Sequence, residues 1–228
     1  MFKEIDWNHM EVTCNAQDSA SIYLTREISN RLKVGKSVFW LVPGGSSIVV
    51  ALMVAKALNG LDLSKLTVTL TDERYGPVGH TNSNWKQLIG GGFALPGATL
   101  YPVLTDAPLE ATVQHYGDII RSCLSESDYS IGFFGIGPDG HTAGILPGSP
   151  AAYAKTTTTG YDAETYLRIT ITKSVISKLD EAVVYAVGEQ KRPIVEALND
   201  TITSEDWPAM SLKTAGKLTI FSDLHTEE

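Results

Sequence analysis

Val38-Phe39-Trp40-Leu41-Val42-Pro43-Gly44-Gly45-Ser46-Ser47 decides the fold. Five consecutive apolar residues, four of them β-branched or aromatic, read as a strand covered on both faces, because a strand with one wet face alternates apolar with polar. Pro43-Gly44-Gly45 ends the run, and the pattern from Ser46 to Leu58 is helical. A buried strand, a tight loop and a helix in immediate succession open a βα unit.

The pattern repeats on either side. Ala20, Leu24, Ile28 and Leu32 are spaced four apart and predict an amphipathic helix over 19–32. Leu66 to Leu70 is a second strand, leading into Asp72-Glu73-Arg74 and a loop rich in Gly, Pro and Asn. Pro108 opens a helix in which Val113, Tyr116, Ile120 and Cys123 share a face, and Ile131 to Ile136 is a buried strand that runs into Gly137-Pro138-Asp139-Gly140-His141. Tyr166 to Ile171, Ala182 to Val187 and Leu218 to Phe221 read as further strands, Lys191 to Leu198 as a helix, and residues 154–165 as an exposed loop. This alternation predicts a single α/β domain over 1–228: a doubly wound, Rossmann-like, largely parallel sheet with helices on both faces. Ligands of such sheets bind beyond the carboxyl ends of the strands, where this chain puts its glycines and charges.

Composition narrows the partners. The 228 residues are 43% hydrophobic and carry a net charge of −8. That charge disfavours a nucleic-acid backbone or an anionic membrane as partner, since both need a basic field. An anionic small molecule is still allowed, held by a local cluster of cations, because exposed charges beyond about 8–10 Å are screened. Cys14 and Cys123 are too few for a disulfide framework and fit a reducing compartment. The acidic residues among the first seven do not suit a signal peptide, and Ile48 to Ala55 is far too short to span a bilayer, so a cytoplasmic protein is expected.

Gly44-Gly45-Ser46-Ser47 has the chemistry of a phosphate cradle, with close-approaching backbone N–H groups at a helix start. The same residues also suit plain helix capping by a serine. Asp72-Glu73-Arg74 concentrates charge beyond a strand, either as a site in which the guanidinium forks onto an anion or as a solvated turn. The glycine-flanked Asp139 and His141 stand on a loop that exposes an imidazole at the sheet edge. Imidazole exchanges protons near neutral pH, and a neighbouring carboxylate orients it. Lys191 follows another strand and can supply a point charge, and Arg168 stands within a strand. His9, His80, His115, His141 and His225 lack the spacing of a metal pair, so no metal is expected.

Taken in order, these segments resemble the 6-phosphogluconolactonase branch of the superfamily that also contains glucosamine-6-phosphate deaminases. The marks are Gly44-Gly45-Ser46-Ser47, Asp72-Glu73-Arg74 with Ser83-Asn84, Gly135 to Ala143 with Pro147-Gly148, Arg168-Ile169-Thr170 and Gly188-Glu189-Gln190-Lys191. The resemblance implies a phosphorylated sugar lactone as the small-molecule partner, bound by Gly44 to Ser47, Asp72, Arg74, Arg168 and Lys191. In it Ser47, Arg74 and Lys191 hold the phosphate, Arg168 helps bind the sugar, and His141 activates water with Asp139 beside it. It implies no metal and no organic cofactor; a monomer or small homo-oligomer is expected. The family usually has Thr at Ser47, which keeps the hydroxyl, and a different run at Gly144 to Pro147. Two alternatives share the same loops. A deaminase-like isomerase needs a Glu five residues after the histidine and a Tyr after Asp-Glu, where this chain has Leu146 and Arg74. A non-catalytic sugar-phosphate sensor has no need of His141.

Overall fold

The computed structural model describes residues 9–12, 15–199 and 206–224. In chain order the elements are β1 (His9–Val12), α1 (Ala16–Lys33), β2 (Val38–Val42), α2 (Ile48–Leu58), β3 (Leu66–Leu70), β4 (Asp72–Arg74), α3 (Asn84–Gly90), β5 (Thr99–Tyr101) and α4 (Leu109–Glu126). They continue with β6 (Tyr129–Gly135), α5 (Pro150–Tyr153), β7 (Thr158–Asp162), β8 (Leu167–Ile171), α6 (Lys173–Ile176), β9 (Glu181–Ala186), α7 (Arg192–Asn199) and β10 (Leu218–Ser222). Short 3-10 turns cover Gly45–Ser47, Glu189–Lys191 and Pro208–Thr214.

Seven strands form one parallel sheet in the order β1-β10-β9-β6-β2-β3-β5. From β2 the chain adds β3 and β5 on one side, then returns through α4 to lay β6 on the other, followed by β9 and β10. The winding direction thus reverses between β2 and β6, and a crevice opens beyond their carboxyl ends. The doubly wound α/β expectation is met. All five residues of β2 are buried, as a central strand with helices over the sheet requires. Ala20, Leu24 and Ile28 are buried along α1, and the Asn15 side chain accepts from the Asp18 amide at its start.

A second sheet, in the order β4-β8-β7 and antiparallel throughout, stands at the mouth of that crevice. Thr71 is the pivot between the sheets. Its N–H donates to Val42 of the large sheet (2.9 Å), while its carbonyl accepts from Ile171 of the small one (3.0 Å). In the register of the small sheet Asp72 faces Thr170 and Arg74 faces Arg168.

Of the two readings open for Asp72-Glu73-Arg74, the solvated turn is excluded, because the three residues form a strand with Asp72 and Glu73 buried. Two sequence expectations are corrected here. Residues 166–171 do not extend the parallel sheet; Leu167–Ile171 belongs to the antiparallel one. The segment 154–165 is not all exposed loop, because Thr158–Asp162 forms β7, with Thr158 and Tyr161 buried. Threonine is polar but β-branched, and its backbone preference prevails once a partner strand is present. Cys14, residues 200–205 and His225 lie outside the described residues. No helix among the described residues is long and apolar enough to cross a membrane.

Candidate active site

The cradle grows out of β2. Gly45 has φ +67°, a left-handed conformation that an L side chain resists, and it lets the chain turn sharply into the 3-10 turn and α2. The first N–H groups of that helical run have no intrahelical acceptor and carry its partial positive charge. Ser47 makes no capping bond, so simple capping does not occupy its hydroxyl. The side chain is 2% exposed and sits close to Gly135 of β6, where a Cβ would come within 2.8 Å of Ser47 Oγ.

Strand alternation sorts the three charges of β4. Asp72 and Arg74 face the crevice, and Glu73 between them points away, fully buried. The Glu73 carboxylate accepts from the amides of Arg74 (2.6 Å), Asn84 (2.7 Å) and Trp85 (3.0 Å) and from the Ser83 hydroxyl (2.9 Å). It therefore fastens the start of α3 to β4. Burial pushes this carboxyl above its ordinary range, and the amides of Trp85, Asn84 and Arg74 and the Ser83 hydroxyl work against that rise. Replacing Glu73 with Ala would strand those donors, and the expected cost is about 3 kcal/mol of unfolding free energy. A denaturant titration with an unchanged midpoint would contradict this structural role.

Asp72 is buried, with Thr71 Oγ1 donating to it at 3.0 Å and Arg168 Nη1 at 3.8 Å from its Oδ2. Burial raises its carboxyl, while Arg168, the Thr71 hydroxyl, Arg74 and His141 pull in the opposite direction. Arg74 donates from Nη1 to the Asn82 carbonyl (3.0 Å) and lies over the Tyr166 ring at 5.7 Å from its centroid. The Nε atoms of Arg74 and Arg168 are both buried without a hydrogen-bond partner. Lys191 ends the turn after β9 and is half-buried; burial lowers its pKa and Asp223 raises it. No carboxylate among the described residues lies within ion-pair distance of Arg74 or Lys191.

On the loop after β6, His141 Nδ1 is 2.6 Å from Asp139 Oδ1, and the His141 amide also donates to that oxygen (3.2 Å). Burial opposes the charge of Asp139, but the His141 amide and ring outweigh it and hold the carboxyl below its ordinary range. Its charge is therefore present throughout the neutral range and is lost only as acid drives the pH below the ordinary carboxylate pKa. Gly137 makes the pairing possible: a Cβ there would lie 2.2 Å from the imidazole and 2.4 Å from Asp139 Oδ1. The Gly137 amide donates to the His141 carbonyl (2.9 Å) and closes the loop. The imidazole remains 36% exposed, with its Nε2 edge free of any partner among the described residues.

Nine of the sequence candidates, namely Gly44, Gly45, Ser46, Ser47, Asp72, Arg74, His141, Arg168 and Lys191, line one cleft of about 360 Å³. Asp139, the tenth, braces His141 from beside the cleft. Two larger surface hollows, of about 450 and 500 Å³, lie against Thr156–Gly160 and beside Cys123 and contain none of these groups. Because Asp72 balances Arg168, the excess positive charge comes from Arg74 and Lys191, next to unpaired helix amides. Such an arrangement has the chemistry to hold an anion even in a protein of net charge −8. In the same cleft, a carboxylate-braced imidazole suits proton transfer at a group carried by the bound molecule. Asn84 also lines the cleft and had no role in the sequence reading; it was visible there only as part of Ser83-Asn84.

The model of the family described as "Glucosamine-6-phosphate isomerases/6-phosphogluconolactonase" matches residues 14–220. A rice relative (Oryza sativa subsp. indica), "Probable 6-phosphogluconolactonase 4, chloroplastic", is 27% identical over 87% of this chain and 69% of its own length. The crystal structure of 6-phosphogluconolactonase from Thermotoga maritima superposes with a TM-score of 0.78 at 21% identity, covering 94% of this chain and 97% of that one. A monomeric glucosamine-6-phosphate deaminase superposes almost as well, with a TM-score of 0.76 at 19% identity over 94% and 95% of the two chains. At these identities the structural likeness speaks to fold alone, and the fold does not separate the two chemistries.

Proposed function

The chain belongs to the family of glucosamine-6-phosphate isomerases and 6-phosphogluconolactonases, and from that premise we propose that it hydrolyses 6-phospho-D-glucono-1,5-lactone to 6-phosphogluconate, in the oxidative pentose phosphate pathway. One observation carries the choice of lactone over amino sugar: the imidazole in the cleft is paired with Asp139 at 2.6 Å, while the position that deamination needs as a carboxylate is Leu146, outside the cleft lining. Lactone hydrolysis asks for one base and a placed water. Ring opening with proton transfer between carbons asks for more.

In this reading the phosphate docks on Gly44–Ser47 with Arg74 and Lys191, and the rest of the molecule extends toward His141. Binding of the remote phosphate fixes the lactone carbonyl beside the base, which turns an encounter into an oriented reaction. Neutral His141 takes a proton from water as the water oxygen attacks C1. The imidazolium then returns that proton to the ring oxygen as the tetrahedral intermediate collapses. Asp139 steadies the cation, and Arg168, balanced by Asp72, faces the sugar. Changing Asp139 to Asn keeps the shape and removes the charge, so kcat is expected to fall about tenfold or more with KM little altered. An unchanged kcat would remove Asp139 from the mechanism. Cys123, buried with its thiol pushed up to about 11, is inert and fits a reducing compartment such as the cytoplasm.

The test is the rate of 6-phosphogluconate formation, followed through a coupled dehydrogenase against an enzyme-free control, since such lactones also hydrolyse unaided. Acceleration of lactone opening without ammonia release from glucosamine 6-phosphate supports the proposal. Ammonia release would favour the isomerase, and binding of 6-phosphogluconate without acceleration would favour a sensor.

A further inference from the structure

Asn84 is 1% exposed and is held from two sides. Its amide donates to Glu73 (2.7 Å), and its side-chain Nδ2 donates to the Asp72 carbonyl (2.9 Å), with Asp72 Oδ2 a further 3.5 Å contact. The donor to a carbonyl must be the nitrogen, so the carboxamide orientation is settled and Oδ1 is turned away from Asp72. Oδ1 is buried and has no donor. It lies against the phosphate loop: a Cβ on Gly44 would fall 2.2, 2.3 and 2.4 Å from Oδ1, Cγ and Nδ2. The carboxamide thus fills the gap between Gly44 of the cradle and Asp72 of the small sheet, and it touches both.

We infer that Asn84 is a positioning residue for the anion site, acting as a spacer that sets where the Gly44–Ser47 cradle stands relative to Asp72 and Arg74. The inference rests on the reading of that cradle as the phosphate site. Gly44 has φ −87°, which any residue adopts, so the glycine is required here by the closeness of Asn84 and not by backbone strain. Asn84 cannot simply swing aside, because its two anchoring bonds are to the strand that carries Asp72 and Arg74. Extra volume at Gly44 must therefore displace the cradle.

This predicts a reversal of sign between two substitutions. In the wild-type background Gly44→Ala collides with the carboxamide and weakens binding of inorganic phosphate and of 6-phosphogluconate about tenfold, and Asn84→Ala, which removes the spacer, weakens it by a similar factor. In the Asn84→Ala background the methyl group that Gly44→Ala adds occupies the vacated space, so the double variant binds at least as tightly as Asn84→Ala alone. Isothermal titration with inorganic phosphate and with 6-phosphogluconate reads this directly, and thermal melting checks the fold of each variant. If Gly44→Ala alone does not fold, comparing Asn84→Ala with the double variant still decides: a double variant that binds more weakly overturns the inference, as does wild-type affinity in Gly44→Ala. The kinetic counterpart is a raised KM for phosphorylated lactone with a smaller effect on kcat. Failure of the lactonase reading would look different, with wild-type protein binding phosphate but not accelerating lactone opening. The sign reversal in phosphate binding would remain.

Discussion

The His141→Ala protein is expected to turn over phosphorylated lactone at least about a hundredfold more slowly than the wild type, the range usual for loss of a general base. Substrate binding should change little, because the proposed phosphate contacts come from Gly44–Ser47, Arg74 and Lys191 and none from His141, and its Nε2 edge has no partner among the described residues. A fall in kcat at constant KM is the mark of an interaction made only in the transition state. The variant should still exceed the uncatalysed rate, since the cradle and the cations continue to orient the lactone. Wild-type turnover in this variant would take His141 out of the mechanism, and a matched rise in KM would make it a binding residue.

Arg74→Ala is expected to lower kcat/KM for the phosphorylated lactone about a hundredfold, as removal of a charge-assisted bond to a partly desolvated anion does. Arg74 is singled out over Arg168 by its partners. Arg168 already faces Asp72 at 3.8 Å, whereas the contacts of Arg74 among the described residues are the neutral Asn82 carbonyl and the face of Tyr166, with no carboxylate in ion-pair distance. The guanidinium fork matters as well as the charge, so Arg74→Lys should restore only part of the loss. The comparison substrate decides the assignment. An unphosphorylated lactone should be hydrolysed at nearly the same kcat/KM by wild type and variant, and an equal loss on both substrates would place Arg74 elsewhere than at the phosphate.

The unbroken apolar run of β2 was legible as a central strand because burial on both faces leaves no polar position, and the loop after it then had to stand at the carboxyl edge. The same logic located the loop from Gly137 to His141. The substrate class was not legible from those patterns; it came from the family resemblance of several loops in order. What escaped was whatever depends on a distant partner. Thr158–Asp162 looked like a loop because its threonines are polar, and only pairing with Leu167–Ile171 makes it a strand. β5 is a three-residue edge strand, too short and too exposed to leave a period. Glu73 could not be separated from Asp72 and Arg74 until those three residues were known to alternate across a strand. Asn84 meets Gly44 across forty residues of chain, and no local spacing predicts that contact.

The central claim is that one molecule spans the cleft, with its phosphate on Gly44–Ser47 and its C1 carbonyl carbon at His141. A crystal structure with bound 6-phosphogluconate tests this most directly. The phosphate is expected within hydrogen-bond reach of the Gly45–Ser47 amides, Arg74 and Lys191, with the C1 carboxylate about 3 Å from His141 Nε2. A product bound the other way round, or with C1 more than a water's breadth from the imidazole, would contradict the account.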